Sequence, residues 1–445
     1  MAHRIPDETR TEDPTTQNRS PRFGRRQMLK VGGLGAGAVA VSALVPIRGS
    51  ITEPLTGLAA TTSSSRVAFF GPHQAGILTP PPQHLTLVAI DLSVTKVDEL
   101  RSLLKEWTRA AAAMTSGDPI GILATPATVV PADSGEVVDE TAANLTITIG
   151  FGPSMFDRRF GFGPARPAPL ADLPRFSKDQ LDPRRSGGDI LVQACADSPQ
   201  VADHAVRDLL LLAGTRARYR WMQRGFADVP GAPGSTGTTP RNALGFRDGS
   251  SNLDVNDAAR MTRNVWANTT ESPNWMTGGT YAVVRRVRNL IEVWDRATLE
   301  EQENTIGRRK YSGAPFGRTG EMDEVDSDLL PTTSHVRVAN PRTGQASEDE
   351  RILRRGYNYA DGLAPITGPI PDDAGKPQTG LLDTGLMFIA FQRDPRKQFV
   401  PMQTRLDAND ALNEYLVHTG SGVYAILPGV RDANDWWGRS LLERR

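Results

Sequence analysis

The 445 residues carry 51 basic and 51 acidic side chains, a balance that excludes the broad positive field on which nucleic-acid binders rely and leaves small molecules or proteins as partners. The length exceeds the roughly 250–300 residues at which one hydrophobic core stops growing, so two domains are expected. A single cysteine, Cys195, rules out an intramolecular disulfide framework and any multi-cysteine zinc or iron–sulfur centre.

Residues 24–30 read GRRQMLK and precede VGGLGAGAVAVSALVP, sixteen residues without a charge. The stretch is short and glycine-rich for a membrane span, but it has the length of a secretory apolar region behind a basic one. Arg25 and Arg26, followed by Met28, Leu29 and Lys30, resemble the twin-arginine export signal, with Met where Phe is usual. That route carries folded proteins and suits a chain whose cofactor is inserted before export. Residues 1–65 are therefore read as signal peptide and linker. The translocase becomes a transient partner, and the destination periplasmic, cell-surface or extracellular.

The first half has a clear rhythm. LTLVAIDL (85–92) reads as a buried strand, and Leu100, Leu103, Leu104 and Trp107 follow at helical spacing. LTITIG (145–150) alternates as a strand, DILVQACAD is a further strand, a helix starts near Ser198, and RARYRWM is again strand. The order is βαββαβ. The second half repeats it less cleanly: strand over 280–294, helix over 297–308, strand over 386–394, helix over 408–419 and strand over 422–429, with HVRVANP (335–341) a poor candidate for the missing strand because it ends in proline. The expected fold is α+β, a duplicated ferredoxin-like unit with antiparallel sheets: one domain over 66–244, a connecting segment over 245–277, a second domain over 278–445.

Chemistry must come from dispersed residues, because HExxH, P-loop and GxSxG patterns are all lacking. Of the histidines, His84 is expected at an exposed strand start, His204 on the solvated side of its helix and His418 in the last turn of a helix. His73, in FFGPHQAGI, is a loop candidate, and His335, in SHVRVANPR, has no partner visible by spacing.

GFRDG (245–249) resembles the GxxDG motif of dye-decolorising (DyP-type) haem peroxidases. FFGPHQAGI, LTITIGFGPSMFD, GGTYAVVRRVRNLIEVWD, SHVRVANPR and LRRGYNY follow the family's order and extend the resemblance over nearly all of the chain past the leader. The exported leader suits its EfeB-like subgroup. The resemblance implies haem b, held mainly by the second domain, and an enzyme that reduces hydrogen peroxide while oxidising organic donors such as dyes or phenolics. It also leaves open iron release from haem, a haem-carrying role without turnover, and homo-oligomerisation. Residue by residue, it implies His335 as the axial iron ligand, Asp248 and Arg354 as distal acid–base and charge-stabilising groups, and Asn252 beside them. Around the cofactor it implies Gly249, Arg309, Phe391 and Asp394, the last as the candidate acceptor for the second nitrogen of His335. Arg308 and Arg309 either meet propionates or close a solvated helix end, and Arg355 faces a propionate or solvent. Tyr357, Tyr359, Trp436 and Trp437 are candidate electron relays, or simply core aromatics. With an aspartate as distal base, whose ordinary pKa is ~3.9, the expected working range is acidic.

Overall fold

The structure is a computed structural model and describes residues 65–443 apart from 122–125, 230–238 and 365–379, so the leader and its paired arginines lie outside the described residues. Strands β1 (His84–Leu92), β2 (Thr146–Phe151), β3 (Ile190–Ala196) and β4 (Ala217–Phe226) make up the first half, with α1 (Val97–Thr115) after β1 and α2 (Pro199–Ala213) after β3. Antiparallel pairing orders them β2-β3-β1-β4, the ferredoxin-like arrangement. The predicted stripe on α1 is buried, and Trp107 donates its indole N–H to the Leu209 carbonyl at 2.6 Å. Helix α2 starts where Ser198 accepts from the Val201 N–H and Pro199 fills the first turn, a position that needs no amide donor. Both helices cover the sheet face that carries Val88, Ile90, Ile147, Ile149 and Val192, giving a continuous apolar core.

The second half contains β5 (Thr280–Asn289), α3 (Leu299–Ile306), α4 (His335–Ala339), β6 (Leu353–Arg354), β7 (Tyr357–Leu363), β8 (Leu382–Gln392), α5 (Phe399–Asn409) and β9 (Leu416–Ile426). Its order β9-β5-β8-β7 repeats the first half. Four expectations change. The missing strand is β7, paired with β8, while the stretch beginning at His335 is helical. The helix expected over 408–419 lies earlier, over Phe399–Asn409, with Pro401 tolerated in its first turn. His418 consequently sits in β9 opposite Val287 and is buried, not placed at a helix end. His204, expected in solvent, is also buried, because Asp133 and Ser134 of the long connection before β2 reach it.

Pairing of β2 with β9 and of β4 with β7 joins the two sheets, and β5–β8 closes the ring. The β4–β7 join is one residue pair wide, Phe226 to Asn358. Gly225 permits it, since a Cβ there would lie 2.7 Å from the Tyr357 Cβ. Strand β6 prolongs β7 along β8, with the Arg355 N–H donating to the Ile389 carbonyl at 2.8 Å across the break.

Candidate functional site

A cavity of about 250 Å³ lies between one face of β5, β8 and β9, which supplies Val287, Leu386, Phe388 and Leu416, and a cover that includes α3, α4, α5 and the 242–251 loop. His335 is the first residue of α4, and its partly exposed side chain lines this cavity. Its Nδ1 meets Asp410 Oδ2 at 2.6 Å, and Asp410 is buried just past the end of α5. The other Asp410 oxygen accepts from the Leu412 N–H at 2.9 Å, so one carboxylate both caps a turn and orients the imidazole. Burial alone would lower the His335 pKa, but the adjacent carboxylate outweighs it and the value is raised. With Nδ1 engaged by Asp410, Nε2 is the nitrogen left for a metal.

The same cavity is lined by Asp248 and Arg354, whose Nη1 donates to Asp248 Oδ1 at 2.6 Å. Gly245 (φ +87°) and Gly249 (φ +118°) give the loop backbone angles that other residues rarely adopt. The loop is fastened on each side of Asp248: the Asp248 N–H donates to the Pro240 carbonyl at 2.8 Å, and Glu321 accepts from Ser250 Oγ at 2.9 Å and from Thr239 Oγ1. Asn252 holds the Arg354 backbone in both directions, its Nδ2 donating to the carbonyl at 2.8 Å and its Oδ1 accepting the N–H at 2.9 Å. A second cavity of about 230 Å³ shares Asp248, Gly249, Arg354 and Phe388 with the first and is lined further by Asn252, Pro80, Val229 and Val255. Arg342 also lines the main cavity. Its guanidinium reaches only backbone carbonyls, Val336 at 3.1 Å and Asn340 at 2.7 Å, and has no carboxylate within ion-pair distance among the described residues. Burial, with Arg308 and Arg351 nearby, lowers its pKa to about 10. Such a cation favours an anionic ligand.

Two family models together span most of the chain: Dyp-type peroxidase, N-terminal, over residues 74–227, and Dyp-type peroxidase, C-terminal, over residues 239–431. The chain belongs to the DyP-type peroxidase family. It is thereby a haem-dependent peroxidase, an oxidoreductase. Among relatives of this peroxidase, a deferrochelatase of Escherichia coli strain K12 is 37% identical over 428 residues, covering 94% of this chain and 96% of the relative. A DyP-type peroxidase from Streptomyces coelicolor superposes with a TM-score of 0.75 at 36% identity, covering 85% of this chain and 97% of that one. One from Cellulomonas bogoriensis gives 0.74 at 37% identity, covering 85% and 98%.

In this member of the DyP-type peroxidase family the main cavity gathers His335, Asp248, Gly249 and Arg354, but it does not gather every residue named from sequence. Asp394 is buried elsewhere, paired with Arg396 at 2.7 Å, and the acceptor it was expected to supply is Asp410. Phe391 points to the other face of β8, into the core of Ile77, Leu353 and Tyr357. Strand alternation puts Leu386 and Phe388 on the cavity instead. Arg309 turns away, bonding Glu303 at 2.6 Å and stacking 4.6 Å from the Phe316 ring, while its neighbour Arg308 lines the cavity. Asn252 borders the second cavity and acts on Arg354 through its backbone. Arg355 donates to the Thr79 carbonyl at 2.5 Å and takes neither of its expected places. His73 stacks on Trp266 at 3.6 Å and meets the Gly278 carbonyl at 2.7 Å, and it lies outside the lining of both cavities. The four candidate relay aromatics are all buried: Tyr357 donates to the Pro82 carbonyl at 3.0 Å, Tyr359 lies under Arg286 at 4.0 Å, and Trp436 and Trp437 belong to the first-half core. Asp410 and Arg342 went unnamed. Asp410 is 75 residues from His335, a separation that carries no local signal, whereas Arg342 stood at the end of the quoted SHVRVANPR.

Proposed function

We propose that His335 Nε2 holds the iron of haem b in the main cavity and that Asp248 and Arg354 carry out peroxide reduction beside it. The carrying observation is the convergence of three chemically distinct elements on one cavity: an imidazole with Nδ1 fixed by Asp410, a carboxylate–guanidinium pair, and the desolvated cation Arg342. The donor set fits haem, since the His335 imidazole lines the cavity with Nε2 left for a metal, Leu386 and Phe388 offer apolar surface to a porphyrin, and Arg342 suits a propionate. When bound, haem supplies the redox-active iron and stores the oxidising equivalents taken from peroxide.

Asp248 Oδ2 is the carboxylate oxygen not used by Arg354, and it takes the proton of incoming hydrogen peroxide. It then returns that proton to the far oxygen, which leaves as water. Arg354 holds Asp248 in place and offers fixed positive charge to the departing oxygen. Asn252 keeps the Arg354 backbone still. The second cavity, which meets the first at Asp248 and Arg354, gives peroxide a way in. The organic donor, of the dye or phenolic class, delivers electrons at the protein surface.

The relatives named deferrochelatase support a second reading, in which iron leaves the bound haem. The sequence of residues 24–30 supports export of the loaded, folded chain by the twin-arginine route. Purified protein expressed with ample haem should show a Soret band that His335→Ala abolishes. Peroxide-dependent dye oxidation should fall ~10²–10³-fold in Asp248→Asn and in Arg354→Leu. Free protoporphyrin fluorescence, with no dye oxidation, would favour the iron-release reading. Retention of the precursor in the cytoplasm by Arg25→Lys with Arg26→Lys tests the export route.

A further inference from the structure

We propose that Asp133, His204 and Asp208 form a metal site in the first half, separate from the haem cavity, for a divalent first-row ion such as zinc or manganese. His204 and Asp208 lie one turn apart on the same face of α2, and Asp133 comes from the connection that precedes β2. All three are buried, and one ligand atom from each falls within 4.8 Å of the other two. His204 Nε2 is 3.5 Å from Asp208 Oδ2 and 3.9 Å from Asp133 Oδ2. Those separations are long for hydrogen bonds, which lie at ~2.7–3.2 Å. They suit atoms sharing an ion: ligands held ~2.1 Å from a tetrahedral centre are ~3.4 Å apart.

The surrounding contacts orient all three side chains and leave His204 Nε2 between the two carboxylates. His204 Nδ1 meets Ser134 Oγ at 3.1 Å, the kind of outer bond that fixes the tautomer of a ligating histidine. Among the described residues Nε2 makes no hydrogen bond and meets only the two carboxylates, with 3% of the side chain exposed. Backbone amides aim the carboxylates: Ile120 N–H donates to Asp133 Oδ2 at 2.8 Å, Gly135 N–H to Asp133 Oδ1 at 2.7 Å, and Ser134 N–H to Asp208 Oδ2 at 3.1 Å. Two carboxylates are thus buried together, and among the described residues no Lys or Arg lies within ion-pair distance of either. Buried charge of that kind calls for a cation. Asp133 and His204 also border a cavity of about 40 Å³ walled by Met114, Val137, Leu145 and Val201, large enough for a water as fourth ligand. One nitrogen with two carboxylate oxygens suits zinc or manganese rather than a soft thiolate-seeking ion. Bound there, the ion ties the connection before β2 to α2.

The test uses tag-free, haem-loaded protein stripped with EDTA and titrated calorimetrically with zinc chloride and, separately, manganese chloride. One equivalent of either ion should bind with micromolar or tighter affinity, at least tenfold weaker in Asp208→Asn and in His204→Gln. The same ion should raise the thermal midpoint of the wild type and leave that of the variants unmoved. The Soret band reports that each variant remains folded; if one fails, the other carries the comparison. Absence of uptake of both ions by the wild type, or uptake equal in wild type and variants, would overturn the proposal.

Discussion

Asp410→Asn isolates the contact that fixes Nδ1 of His335, the side chain proposed above to hold the iron. The 2.6 Å contact joins a buried carboxylate to a ring nitrogen, and its other oxygen is occupied by the Leu412 N–H. Asparagine keeps the shape and the capping oxygen but removes the charge that raises the imidazole pKa. A hydrogen bond to a charged group contributes roughly 1.5–3 kcal/mol. Loss of an outer partner of a metal-bound histidine typically lowers metal affinity ~10–100-fold, which is about 1.4–2.7 kcal/mol and so agrees with the first figure. Haem titration followed at the Soret band should show that weakening. Potentiometry should show a higher iron reduction potential, because a less basic imidazole stabilises ferric iron less. Asp394→Asn serves as the control, since Asp394 pairs with Arg396 away from the cavity. Equal affinity and potential in Asp410→Asn and wild type, or an equal effect of Asp394→Asn, would refute the assignment.

Arg342→Ala should weaken haem binding ~10-fold by removing one charge-assisted bond to a propionate, while Arg309→Ala leaves it unchanged; the same Soret titration compares them. Asn252→Ala removes both bonds that fix the Arg354 backbone, and it should slow the peroxide reaction ~10-fold in stopped flow without altering haem affinity. His418 is held down at a pKa of about 3 by burial, with the Arg285 charge adding to it. An unfolded histidine titrates near ~6.5, so between those values only the unfolded chain gains the proton, and stability falls as pH drops through that window by about 1.4 kcal/mol per unit. Urea unfolding of haem-free protein from pH 7 to 4 should therefore show a shallower loss in His418→Leu, and parallel curves would count against the buried neutral imidazole.

Periodicity made the first half readable because its helices and strands each bury one regular face, as Leu100 through Trp107 do on α1. The second half was less legible where local signals conflict with packing. Phe399, Met402, Gln403 and Leu406 have helical spacing, yet Pro401 among them looks like a breaker until its place in the first turn is known. Tyr357–Leu363 offers only two buried tyrosines as strand signal, and the Arg355–Gly356 break before it hides its continuity with β6. Motifs located Asp248 and Arg354, 106 residues apart, and the fold brings them into direct contact. Strand parity decided the Phe391 error: Phe391 and Phe388 are equally apolar in sequence, and only the register of β8 separates them.

The duplication places two like sheets under two like covers, but the slots between them are filled differently. In the first half, Leu103, Leu104, Trp107, Val206 and Leu209 close the space with protein atoms. In the second, the matching space between β5, β8, β9 and the helices is the main cavity, and charged and polar groups such as Arg285, Asn289 and His418 occupy strand positions there. The ligand of that cavity is thus the counterpart of a hydrophobic core, and binding it completes a domain as well as arming an enzyme. Its affinity then adds directly to folding stability. A chain built this way passes its own inspection: only the loaded copy is a fully packed one.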